Sequence, residues 1–230
     1  MLLTGNTSLK VLTGNSHVNQ RLLMTKTPRT DGQFARRKRD GARPSARKRI
    51  FDTAAELFYL KGIRAVGVET IAEDAKTTKM SLYRNFPSKD ELVAEWLRDH
   101  DVKFWETWDA MSRRFPTDAR KQLMTAFSLL AKHVIDPKAR GCPIANAAVE
   151  LTDKDHPARK VIEAHKAKLH SRLAEMCVRL GVRRPGLLAD QLFLLMEGAQ
   201  ISTQTLGVRG PARNVARAAQ MLIDARAPAS

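Results

Sequence analysis

Residues 67–86 read GVETIAEDAKTTKMSLYRNF, and the spacing of their apolar side chains decides how the rest of the chain is read. Val68, Ile71, Ala72 and Ala75 recur at helical spacing, as do Leu82 and Phe86. That predicts two short helices, about Val68 to Ala75 and about Lys79 to Asn85, with Gly67 in the N-cap position and a tight turn between them. Helices of this length are not stable alone, so their apolar positions must dock on another element. Docking leaves Lys79, Met80, Ser81 and Tyr83 on the exposed N-terminal half of the later helix. In a helix-turn-helix, that half enters the major groove of DNA.

The flanking residues supply the docking partner. Ser45 stands where an N-cap is needed, and Phe51, Ala55 and Phe58 recur at i, i+4 and i+7, with Ile50, Ala54 and Leu57 widening the stripe. This first helix ends at Lys61-Gly62, with Gly62 as a left-handed C-cap. On the other side, Phe86-Pro87 closes the third helix, and Ser88-Lys89-Asp90-Glu91 has the form of a capping box. It opens a long fourth helix through Trp96, Trp105 and Trp108 to about Arg113. Pro116, Pro137, Pro143, Pro157, Pro185 and Pro211 punctuate the remainder, predicting helices over roughly 117–135, 143–151, 156–180, 186–206 and 211–226. No stretch alternates with period two, so the fold class is all-α.

The 230 residues are 43% hydrophobic, enough for a real core, and carry a net charge of +16. Twelve lysines and arginines fall within residues 1–49 against Asp31 and Asp40 alone, so +10 of the +16 net charge lies in this N-terminal stretch. Residues 1–45 lack apolar periodicity and read as a flexible basic extension. Such an arm either meets a polyanion or is simply solvated. Met24 is an alternative start, which would make the first 23 residues an upstream extension. Cys142 and Cys177 have neither a paired nor a metal-ligand spacing. With no secretory leader and no membrane-length apolar run, the expected place is the cytoplasm, associated with the nucleoid and not with a membrane.

The run Ile71-Ala72, the turn, Leu82-Tyr83, Phe86-Pro87-Ser88-Lys89 and Glu91-Leu92, preceded by Ala54-Ala55-Glu56-Leu57-Phe58 and Gly62, resembles the signature of the TetR family of transcriptional regulators over residues 47–92. A looser similarity continues at Arg140-Gly141-Cys142-Pro143-Ile144-Ala145-Asn146-Ala147-Ala148 and at Asp155-His156-Pro157. The resemblance implies a three-helix DNA-binding domain at 46–92 and a helical ligand-binding and dimerisation domain at 93–230, acting as a homodimeric repressor on palindromic double-stranded DNA. It implies that Tyr83 and Lys89 contact backbone phosphates, with Thr70, Thr78 and Ser81 as further phosphate or base contacts. Lys79 would donate to guanine, and Met80 would meet a thymine methyl. Arg36-Arg37-Lys38-Arg39, Arg43 and Arg47-Lys48-Arg49 would reach flanking phosphates or the minor groove, each phosphate contact steepening the salt dependence by roughly 0.9 in slope. Deleting residues 1–40 is therefore expected to weaken binding without changing the preferred site. Two positions depart from the family's pattern: Lys76 stands where glycine is usual in the turn, and Gly67 where Thr or Ser usually caps the second helix.

The C-terminal helices carry two apolar stripes, Leu188, Leu192, Leu195, Met196 and Ala199, and Val215, Ala218, Ala219 and Leu222. Either they pack internally or, as the resemblance implies, they form a four-helix interface with a second copy. An unknown small-molecule effector is expected among the middle helices, with Trp105, Trp108, Met124 and Phe127 as candidate lining and His133 and Asn146 as candidate polar anchors. Cys142 is either a buried thiol or an oxidant sensor. No cofactor or metal is expected. The six histidines form no HExxH, and there is no GxSxG or P-loop, so the chain does not read as an enzyme. Asp153, Asp155 and His156 read as a helix cap. A rival on charge alone, a non-specific nucleic-acid binder, leaves the long helical remainder without a purpose.

Overall fold

The computed structural model describes residues 44–226; the extension expected over 1–45 lies outside the described residues apart from Pro44 and Ser45. Nine α-helices follow: α1 Ala46–Lys61, α2 Val68–Asp74, α3 Lys79–Asn85, α4 Lys89–Arg113, α5 Ala119–Val134, α6 Pro143–Glu150, α7 Ala158–Arg179, α8 Pro185–Leu206 and α9 Val215–Asp224, with a 3-10 turn, Pro211–Asn214, before the last. No strand occurs among the described residues. The fold is all-α, with the helix-turn-helix at its N-terminal end and helices throughout the remainder.

Side-chain caps set where the helices begin. Ser45 Oγ accepts from Lys48 N at 3.2 Å, Thr78 Oγ1 from Ser81 N at 3.1 Å, Ser88 Oγ from Glu91 N at 3.0 Å and Asp118 Oδ1 from Lys121 N at 2.9 Å. Each satisfies an amide that the helix itself leaves without a partner, worth about 1 kcal/mol. Pro143 and Pro185 occupy first-turn positions, where their missing N–H costs nothing. The expected left-handed cap at Gly62 is corrected: φ is +91° but ψ is 154°, an extended conformation open essentially to glycine alone. Its amide donates to Phe58 O at 3.1 Å, and an added Cβ would lie 3.2 Å from the Glu150 carboxylate.

Two apolar clusters form the core, and α4 runs through both. In the first, Ile50, Phe58, Ile71, Leu82 and Phe86 pack with Leu92, Leu97 and Trp96 of α4, and with Ile144 of α6 and Ile162 of α7. In the second, Trp105, Trp108 and Met111 of α4 meet Phe127, Leu173, Leu188, Leu192, Met196 and Ala219. At 25 residues, α4 is about 37 Å long, a rod shared by the helix-turn-helix and the C-terminal helices. Leu188, Leu192 and Ala219 have no exposed surface, so the two stripes suggested for a dimer contact face the protomer's own core instead. One helical stripe can face only one partner, and here α7 and α5 take that place.

Candidate DNA-binding face

Leu82 and Ile71 are fully buried, which turns the opposite side of α3 outward. Met80 is 64% exposed and Tyr83 40%, a high exposure for large side chains. Thr70, Thr78 and Lys79 are exposed beside them, and Ser81 is half-buried. Because Thr78 Oγ1 accepts the Ser81 amide, its hydroxyl hydrogen remains free to donate.

The turn that orients α3 is held from outside. Lys76 adopts the left-handed conformation at φ +52°, where its Cβ is strained. Arg49 of α1 donates from Nε to Ala75 O at 3.1 Å and from Nη2 to Lys76 O at 3.5 Å, with Nη1 on Pro44 O at 2.7 Å. The guanidinium thus takes up carbonyls that the end of α2 leaves unsatisfied. Sequence reading placed Arg49 with the DNA-seeking basic residues and missed this role, because no periodicity in α1 announces a partner 26 residues away.

Carboxylates temper several of the expected DNA contacts. Lys79 Nζ lies 2.5 Å from Glu69 Oε1 of α2. That hydrogen bond and charge hold the Glu69 carboxyl below its ordinary range and raise the Lys79 ammonium above its own. Arg47 pairs with Glu95 at 2.7 Å and stacks over the Phe86 ring at 4.6 Å. Lys48 pairs with Asp52 at 2.6 Å, an i,i+4 contact readable from sequence. Lys89 forms no ion pair among the described residues. Partial burial at the start of α4 lowers its pKa, opposed by Asp90 and Glu150.

The suggested effector residues separate into two groups. Trp105, Trp108 and Phe127 are buried in the second cluster, with Met124 packed against it. Nearby, Asp101 Oδ1 accepts from Trp105 Nε1 at 2.7 Å and faces His165 Nδ1 at 2.7 Å. His133 and Asn146 lie instead at the Arg140–Gly141 loop. His133 Nε2 is 3.4 Å from Gly141 O, and Asn146 donates to Arg140 O at 2.7 Å while accepting from Gln204 at 3.2 Å. Arg140 in turn bonds the carbonyls of Tyr59 and Leu60 at the end of α1. Cys142 is buried, its thiol pushed up by burial, with Sγ accepting from Ala145 N at 3.5 Å as the cap of α6. His156 is buried, and its Nδ1 accepts from Ala158 N at 3.1 Å at the start of α7, whose N-cap residue Pro157 offers no side-chain cap. No group of three or more potential metal ligands occurs among the described residues, and no helix there is long and apolar enough to cross a membrane.

This arrangement defines the class: a helix-turn-helix protein whose second short helix buries Leu82 and turns Lys79, Met80 and Tyr83 outward. Residues 50–96 match the family described as bacterial regulatory proteins, tetR family. The Escherichia coli HTH-type transcriptional regulator YjdC is 23% identical over 154 residues, spanning 66% of this chain and 80% of that protein. The repressor KstR2 of Mycobacterium tuberculosis is 43% identical over 54 residues, 24% of this chain and 27% of its own. A TetR-family regulator from Streptomyces coelicolor superposes with a TM-score of 0.70 at 26% identity, covering 78% of this chain and 93% of that one. The chain belongs to the TetR family and is a DNA-binding transcriptional regulator.

Proposed function

We propose that the protein is a ligand-responsive repressor that binds a palindromic operator as a homodimer, reading the major groove with α3. The observation that carries this is the one-sided burial of α3: Leu82 has no exposed surface, whereas Lys79, Met80 and Tyr83 face outward. Tyr83 and Lys89 bind phosphates, Lys79 reads a base, and Met80 meets a thymine methyl; Thr70, Thr78 and Ser81 add further contacts. Arg47 and Lys48 exchange Glu95 and Asp52 for phosphates on binding.

Leu187, Leu194 and Ile201 recur every seven residues on the exposed side of α8, at 42%, 67% and 56% exposure, with Met221 of α9 at 63%. An apolar row of this kind supports burial against a second copy about a two-fold axis. Two reading heads then meet half-sites about one helical turn apart. An effector bound among α4, α5, α7 and α8 releases DNA by favouring a state with different head spacing. The domain division at residue 92 and the lining by Trp105, Trp108, Met124 and Phe127, with His133 and Asn146 as polar anchors, belong to the same proposal.

Footprinting on the DNA upstream of the protein's own reading frame tests the reading. A discrete palindromic protection is expected; a featureless ladder would show a non-specific binder. Tyr83→Phe and Lys89→Ala should each weaken binding to all sequences alike, and Lys89→Ala should reduce the salt slope by about 0.9. An unchanged slope removes Lys89 from the phosphate contacts.

A further inference from the structure

Glu69 puts a carboxylate beside helices that must approach a polyanion. It lies in the first turn of α2, 67% exposed, and its partner Lys79 is the first residue of α3, 52% exposed. An exposed pair adds little stability, and an acid in the first turn of a helix gains only a modest favourable interaction with the helix dipole. Recognition gives the carboxylate a second use. The pair presents a donor and an acceptor 2.5 Å apart. The major-groove edge of a G·C pair presents the complementary couple, guanine O6 as acceptor beside the cytosine N4 amine as donor. Those two atoms are separated by a base-pair hydrogen bond of about 2.9 Å.

An A·T pair in the same register reverses the order. It turns an amine toward the ammonium and a carbonyl toward the carboxylate, so both contacts become unfavourable. Register matters only if the two side chains stand on one rigid frame. Arg49 and the left-handed Lys76 supply that frame by fixing α2 against α3.

We propose that Glu69 and Lys79 act as one composite base reader, the ammonium on guanine O6 and the carboxylate on the cytosine N4 amine of the same pair, once in each half-site. The inference rests on α3 entering the major groove. It assigns Glu69 a specificity role that a lysine acting alone does not have.

The test is selection of bound sequences from a random DNA pool by the full chain, as wild type, Glu69→Ala, Glu69→Gln and Lys79→Ala. Titrations on the selected site, with and without a G·C to A·T change at the position in question, follow at several salt concentrations. Wild type is expected to prefer G·C over A·T there by about tenfold. Glu69→Ala should reduce that preference severalfold at this position only, and Lys79→Ala should affect the same position. Glu69→Gln keeps an acceptor oxygen and should retain more of the preference than alanine does. Thermal melts check that the variants remain folded; both sites are exposed, so loss of fold is not expected. If Glu69→Ala strengthens binding to every sequence equally, the carboxylate only screens charge and the proposal is wrong. It is also wrong if Glu69→Ala changes no position, or a different one from Lys79→Ala. A wild type that selects no motif at all sinks the major-groove reading itself, an outcome distinct from a motif that ignores Glu69.

Discussion

Burial decides how His100 holds a proton. Its ring is half-buried on α4, and burial first, then the neighbouring His165 and His133, lower its pKa to about 4 against the weaker pull of Asp101 and Asp99. The unfolded chain titrates this imidazole near 6.5, so between these values it binds a proton that the folded protein refuses. Stability is therefore complete above about pH 6.5 and falls as pH drops toward 4, by about 2–3 kcal/mol. Urea unfolding at pH 7 and pH 5 measures it, and His100→Asn should flatten the acid slope; parallel slopes would contradict the assignment. Arg49 and Lys79 carry the other lesson of this scale. Both were legible as basic residues near DNA, but their partners Ala75 O and Glu69 were not, because charge says nothing about which side chain lies across the turn.

The elements were largely readable because their ends are written in local chemistry. Ser45, Thr78, Ser88 and Asp118 cap α1, α3, α4 and α5 through their own side chains. The reciprocal arm of the expected capping box, from Glu91 back to Ser88, is not formed; Glu91 lies 3.7 Å from Arg98 instead. The last predicted helix divides into a 3-10 turn and α9 because Pro211 to Asn214 close with tighter bonds before Val215. At Lys76 the left-handed turn is kept despite the side chain, held by the Arg49 bonds. Lys76→Gly should relieve the strain and stabilise the protein by up to about 1 kcal/mol, raising Tm by a few degrees. A lower Tm would mean that the freedom glycine adds to the unfolded chain outweighs the relief.

Across the whole molecule the decisive question is which apolar rows the protomer keeps for itself. Leu188, Leu192, Met196 and Ala199 are buried within it, whereas Leu187, Leu194 and Ile201, on the same helix, are not. Leu194→Asp should leave the fold intact, since that position faces solvent in the protomer, but convert a dimer to a monomer in sedimentation experiments. It should also weaken operator binding by more than tenfold, because paired half-sites need paired heads. A dimer that survives Leu194→Asp would place the interface elsewhere.

The linear sequence alone determined the helical class, the order and approximate ends of the helices, and the family motif over 47–92, because periodicity, caps and prolines act over a few residues. Only the tertiary structure decided that Arg49 clamps the turn, that Asn146 is already bonded to Arg140 and Gln204, and that Glu69 meets Lys79. Those contacts join residues 6 to 58 apart, and their partners are chosen by the way the helices and loops pack. The stretch 67–86 accordingly holds both kinds of information: its helices follow from its own spacing, and the charge pattern it offers to DNA follows from the way those helices pack.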